Sequence, residues 1–288
     1  MDCENKRATS KDDTDVSSKY LIEKILLNNI QPKNFIEEKT TMWSFPDRGD
    51  WATHKPHYRG NWSPHVVRNI ILKYSEPGDL VLDPMVGGGT TPVECVLTGR
   101  NSISVDLNPN AIQITNNCLK LPRLHMKNGT HHETYVKDAR NLNFLRDNSI
   151  DLVVLHPPYC NIIKYSDIRE DLSTIDDFFT FFNEFRKVIC ECKRVLKPGK
   201  FCAVLMGDTH RNGHYIPLST KLLFDFLRND FILKEEIIKK EWNCKSEKKY
   251  SKHKMDYLLT AHEHLYVFRT PLNEKDILPL SCIDLFIQ

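Results

Sequence analysis

Ten residues do most to limit what this chain can become: Ile150-Asp-Leu-Val-Val-Leu-His-Pro-Pro-Tyr159. Asp151 to Leu155 reads as a short buried strand. It runs into His156-Pro157-Pro158-Tyr159, and two prolines cannot continue a hydrogen-bonded ladder, so the chain must leave the sheet there. The stiff turn puts an imidazole and a phenol at the carboxyl end of the strand, where open α/β sheets bind their ligands. Such a turn suits a planar base carrying an exocyclic amine. Taken alone, it reads equally well as an ordinary turn with Tyr159 packed on the core.

The same grammar recurs along the chain. Leu80-Val-Leu is a strand ending in Asp83, followed by Gly87-Gly88-Gly89 and a helix from Thr90 to Leu97 that Gly99 closes. Free N–H groups at that helix start attract anions. Ser102 to Asp106 is a strand ending in an acid placed to bind ribose hydroxyls. Asn108-Pro109 begins a helix running to about Leu119, and Thr134 to Val136 is another strand, ending at Lys137-Asp138-Ala139-Arg140. A long amphipathic helix, Asp176 to Val195, carries five phenylalanines expected in the core. Leu196 to Lys200 is a turn into the apolar strand Phe201 to Met206, which suits a central parallel position. A helix over Leu218–Arg228 and strands over Phe231–Trp242 and Glu263–Arg269 follow. Strands alternating with helices give a doubly wound sheet.

The glycine turn and the proline turn together resemble those of the amino-directed DNA methyltransferases. That family methylates adenine N6 or cytosine N4 with S-adenosylmethionine. Its cofactor loop reads Asp-Pro-Phe-x-Gly-x-Gly-Thr, beside Asp83-Pro84-Met85-Val86-Gly87-Gly88-Gly89-Thr90 here. Its catalytic turn reads Asp, Asn or Ser, then Pro-Pro and an aromatic, and His156 departs from that pattern. The resemblance runs from about Trp43 to Thr270. It implies a Rossmann-like, mostly parallel, seven-stranded α/β sheet with an antiparallel last strand. It implies cofactor contacts from Asn61, Ser63, Asp83, Pro84, Gly87, Gly88, Gly89, Thr90, Asp106 and Asp138, with Asp138 accepting from the cofactor's adenine amine. Catalysis falls to His156, Pro157, Pro158 and Tyr159, with Tyr159 stacking on a base flipped out of double-stranded DNA. An imidazole accepts only when neutral, so activity should fall as pH drops through its ordinary pKa of about 6.5.

Residues 1–40 form a polar extension with one short helix over Lys19–Asn29, and 41–288 form the methyltransferase domain. Within it, 41–64 is rich in Trp and broken by Gly and Pro; it reads either as a loop plugging the core or as a substrate-facing loop. Ser63 and Pro64 mark a helix start. Net charge is only +2, so any DNA footprint must be local. Arg59 and the basic loop at 243–262, with Lys248, Lys249 and Lys252, are the candidate phosphate contacts. Nine scattered cysteines and the lack of a signal-peptide core or a membrane-length apolar run point to reduced thiols in the cytoplasm. No metal is expected from His131-His132 or His262-x-His264. The function expected is site-specific DNA methylation, in a restriction-modification system with an endonuclease or specificity partner. An RNA or protein-amide methyltransferase is one alternative. A non-catalytic nucleic-acid-binding relative, with His156 marking lost chemistry, is the other.

Overall fold

Strands buried on both faces form the centre of the molecule, as the unbroken apolar runs require. The structure, a computed structural model, describes residues 29–54, 58–125, 129–242 and 257–276. In chain order the strands of the main sheet are β1 (Met42–Ser44), β2 (Leu80–Asp83), β3 (Asn101–Asp106), β4 (His132–Val136), β5 (Ile150–Leu155) and β6 (Leu196–Met206), then β9 (Ile232–Lys240) and β10 (His262–Arg269). They lie side by side as β1-β9-β10-β6-β5-β2-β3-β4. β2 to β6 are mutually parallel, while β10 runs antiparallel to both β6 and β9.

The sheet has eight strands rather than the seven expected. The extra one is β1, inside the Trp-rich segment, pairing parallel with the outer edge of β9. Its exposed-buried-exposed pattern spans only three residues, too few for a period of two to stand out. Trp43 anchors it, 2% exposed, with its indole N–H donating to Thr40 O at 2.8 Å.

Alternate side chains of β5 serve two cores. Leu152 and Val154 pack with Val66, Ile70 and Ile71 of α1 (Pro64–Tyr74). Val153 and Leu155 pack with Phe181, Phe185 and Ile189 of α4 (Phe178–Val195), on the opposite face. Each such side chain contributes about 1.5–3 kcal/mol by leaving water, which is why β5 tolerates no polar face. Phe179 departs from the expected core, being 75% exposed. Lys197 to Lys200, expected as a turn, belong to β6 instead; they bulge out of its ladder with β5, whose register jumps from Ile150–Leu196 to Leu152–Phe201.

The helices α2 (Thr90–Thr98), α3 (Pro109–His125) and α5 (Leu218–Arg228) complete the layers. Ser63 caps α1, accepting from His65 N, with Pro64 in the first turn. Between β6 and α5 the chain makes a hairpin, β7 (Thr209–Arg211) with β8 (His214–Ile216). Its turn, Asn212-Gly213, carries positive φ at both residues, as a tight two-residue hairpin needs. Most of the Lys19–Asn29 helix and of the basic loop fall outside the described residues, Lys248, Lys249 and Lys252 among them.

Candidate active site

The parallel strands end on one edge of the sheet, and an open cleft, about 740 Å³ with the solvent at its mouth included, lies there. Gly87 and Asp106 line one side, and His156 and Pro158 the other. Asn61 and Trp62, from the segment before α1, close over it.

The β2–β3 wall is held by short-range bonds from carboxylates to backbone. Asp83 is buried beneath the glycine turn, accepting from Thr91 Oγ1 and from Met85 N at 3.1 Å. Burial pushes its pKa up to about 7. Asp106 accepts from Gly87 N at 2.9 Å and from Asn108 N at 2.9 Å. Each Asp106 oxygen keeps a further lone pair, and the residue lines the cavity. Asn61 Oδ1 accepts from Thr90 Oγ1 at 2.8 Å, fastening the roof to the start of α2. A Cβ on Gly88 would sit 2.9 Å from both Asn61 Nδ2 and Tyr58 Cβ, so only glycine lets the roof come this close. Asp138 also lines the cavity, but Arg140 occupies both its oxygens. Arg140 Nε reaches each at 3.0 Å and Nη2 reaches Oδ2 at 2.6 Å. Burial would raise the Asp138 pKa, and the Arg140 bonds outweigh it and hold it below the usual carboxylate value.

The β5 wall is held by side chains from distant parts of the chain. His156 Nε2 lies 2.9 Å from Tyr159 Oη, which donates to Glu263 Oε1 at 2.6 Å. Lys239 Nζ donates to Glu263 Oε2 at 2.8 Å and also contacts Glu241. Glu263, the second residue of β10, sits directly across from Lys239 on β9. Trp62 stacks on the imidazole with ring centroids 5.5 Å apart. The Tyr159 ring lies against Gly207, where a Cβ would come within 2.9 Å. Burial lowers the His156 pKa to about 4, outweighing the pull of Glu263. The expected titration near 6.5 is therefore corrected: the ring stays neutral through the physiological range. Burial alone would raise the Glu263 pKa; Lys239 outweighs it and holds the carboxylate ionised.

Residues 4–117 and 150–278 match the family model of the N6/N4 DNA methylases. The chain belongs to that DNA methylase family. It is 31% identical over 94 residues to the DNA adenine methyltransferase YhdJ of Escherichia coli K12, covering 30% of each chain. It is 28% identical over 148 residues to a tRNA (guanine(10)-N2)-dimethyltransferase of Methanocaldococcus jannaschii, covering 46% of this chain and 40% of that one. The chain thus matches well under half the length of those relatives. A SAM-dependent methyltransferase from Methanosarcina mazei aligns over 71% of this chain and 98% of its own, with TM-score 0.50 and 18% identity, a likeness of fold.

The residues singled out from sequence divide three ways. Asn61, Pro84, Gly87, Asp106, Asp138, His156 and Pro158 line the cavity. Ser63, Asp83, Gly88, Gly89, Thr90, Pro157 and Tyr159 are not among the residues that line it. Arg59 is exposed near the roof. The Trp-rich segment does both things expected of it: Trp43 and Trp51 are buried in the core and Arg48 donates inward to Trp62 O at 2.9 Å, while Tyr58, Gly60, Asn61 and Trp62 line the cavity. His132 Nδ1 lies 2.8 Å from Ser102 Oγ, and His264 Nδ1 lies 2.9 Å from Glu236 Oε1.

Sequence reading missed Glu263 and Lys239, which nothing local marks, and the hold of Arg140 on Asp138, two residues before it. It also missed Glu94, fully buried in α2. Glu94 accepts from Trp51 Nε1 at 2.7 Å, His54 Nε2 at 2.7 Å and Arg68 Nη1 at 2.9 Å. A lone acid in the apolar run Val93-Glu-Cys-Val-Leu97 was the available signal.

Proposed function

We propose that this chain transfers a methyl group from S-adenosylmethionine to the exocyclic amine of adenine (N6) or cytosine (N4) in DNA. The observation that carries the reading is one cavity with Asp106 and Gly87 of the glycine turn on one side and His156 and Pro158 on the other. S-adenosylmethionine, the family's cofactor, supplies a methyl group made electrophilic by its sulfonium. Asp106 has spare lone pairs for ribose hydroxyls, and the start of α2 offers N–H groups to a carboxylate. Asp138 is less available than the resemblance implies, since Arg140 holds it. Neutral His156 and the Pro157 carbonyl accept the target amine's hydrogens. That favours a tetrahedral nitrogen with its lone pair free for in-line attack, so positioning and electrostatics do most of the work. The target base must leave the duplex to enter. Arg59, Lys248, Lys249 and Lys252 would contact phosphates. A cytoplasmic restriction-modification setting, with an endonuclease or specificity partner, fits this chemistry.

The tRNA relative, which acts on a guanine amine, favours RNA as the second reading. Incubating the purified protein with labelled methyl donor and either DNA or RNA, then identifying the modified base by mass spectrometry, tests both. Methyl-adenine or methyl-cytosine in DNA is expected; label confined to RNA would replace the first reading with the second. His156→Asn should retain methyl transfer, and His156→Leu should lose it while still binding cofactor. An active His156→Leu protein would make the histidine a packing residue.

A further inference from the structure

The hydrogen bonds behind His156 form a directed chain, and its direction can be read from donor counts. Glu263 bonds to Lys239 and to Tyr159. An ammonium only donates, and a carboxylate facing it only accepts. The single phenolic proton of Tyr159 is therefore spent on Glu263. The Tyr159 oxygen can then only accept from His156 Nε2, 2.9 Å away. A neutral imidazole carries one proton, and this arrangement puts it on Nε2 and leaves the lone pair on Nδ1. No described residue donates to Nδ1, and the ring lines the cavity.

We infer that Glu263 and Tyr159 are positioning residues that lock His156 in the Nε2–H tautomer, so that Nδ1 is the acceptor for the target amine. The inference rests on the methyltransferase reading above. It explains how histidine can stand where the family has Asp, Asn or Ser. Those side chains carry an acceptor oxygen outright, whereas an imidazole presents an acceptor at a given nitrogen only if something fixes its proton at the other. Here the fixing group comes from β10, on the far side of β6, and is itself oriented by Lys239 on β9. Trp62 stacked on one face of the ring restricts its rotation. Gly207 lets the Tyr159 ring sit close enough to bridge the two.

Glu263→Gln gives a sharp test because it should reverse the chain. Lys239 requires an oxygen, so the new amide turns its oxygen to Lys239 and its NH₂ to Tyr159. The phenol then accepts from the amide and donates to His156 Nε2, moving the imidazole proton to Nδ1 and removing the acceptor. Nitrogen-15 NMR of the full-length protein reads the tautomer directly, with the His156 signals assigned by their loss in His156→Asn. Wild type should show the Nε2–H form, and Glu263→Gln the Nδ1–H form. The single-turnover methylation rate of Glu263→Gln should fall by about tenfold or more, the usual range for losing a group that orients a working histidine. Its affinity for S-adenosylmethionine should not change. In a His156→Asn background the same change should cost little, since an amide can turn its oxygen to the amine unaided. An Nδ1–H tautomer in the wild type overturns the inference without needing any variant to fold. An equal penalty in both backgrounds would show that Glu263 acts only by packing. An Nε2–H tautomer in a protein that transfers no methyl to any nucleic acid would leave the tautomer lock standing and remove the methyltransferase reading.

Discussion

The two walls of the cavity are built on different principles. On the β2–β3 side, carboxylates are met by backbone N–H groups and hydroxyls close in sequence: Met85 and Thr91 on Asp83, Gly87 and Asn108 on Asp106. On the β5 side, a histidine is met by a phenol, a carboxylate and an ammonium, and the contact from Tyr159 to Glu263 spans 104 positions. The first wall is a template of fixed dipoles, suited to holding one cofactor shape. The second is a chain of protons, and its chemistry depends on which atom holds each one. Mutations in the first wall should therefore show as lost binding, and mutations in the second as lost turnover.

The change expected to do most damage breaks the support the walls share. Glu94 ties Trp51 and His54 to Arg68, and the same segment continues into Tyr58, Asn61 and Trp62 over the cavity. Glu94→Ala leaves the Trp51 indole N–H and the His54 ring N–H buried without their acceptor, and leaves Arg68 with Gln31 alone. It should cost about 3–5 kcal/mol of folding stability, the usual result of removing one member of a buried pair. Chemical denaturation would measure it. A loss below about 1 kcal/mol, the range of an exposed pair, would mean that water reaches this cluster.

Asp106→Ala comes next and separates the walls. It should weaken S-adenosylmethionine binding by about 1–3 kcal/mol, the cost of leaving buried hydroxyls unpaired, and should leave the His156 tautomer alone. Calorimetric titration giving wild-type affinity would remove Asp106 from the ribose role.

The same contrast explains what was legible in the sequence. β2, β3 and β5 announce themselves because an apolar run, a terminal acid or proline turn, and a glycine loop are local signals. The two acids of the first wall could be placed from their own neighbours. Glu263 and Lys239 carry no such mark: each sits in a strand where charged residues read as an ordinary solvated face. Only the antiparallel pairing of β9 with β10 turns both toward Tyr159, and pairing register is a long-range property. β1 and the β7–β8 hairpin escaped for a different reason, three-residue strands being too short to show a period. The Trp-rich segment allowed two readings because burial, not spacing, decides whether an indole packs inward.

The smallest expected effect is the most telling about the second wall. An ordinary histidine at 156 would make the methylation rate fall steeply as pH drops below about 6.5. With its pKa held down at about 4 by burial, the imidazole stays neutral, and the single-turnover rate should be nearly flat in His156 ionisation down to about pH 5. Stability carries the same sign. The unfolded chain takes up a proton between about 6.5 and 4 that the folded protein refuses, so this residue's contribution shrinks as pH falls through that window. The groups near the ring are Tyr159 on its own turn, Trp62 above it, Glu263 on β10 and Lys239 on β9, with Glu241 beyond Lys239. Of these only Glu241 is raised into the working range, to about 7, by burial and the charge of Glu263. A shallow inflection near neutrality that vanishes in Glu241→Gln would belong to that carboxyl, acting through Lys239. An inflection near 6.5 that survives Glu241→Gln and vanishes in His156→Asn would show that the imidazole titrates freely. The second wall would then be open to water, and the phenol and carboxylate behind the histidine would not control its proton.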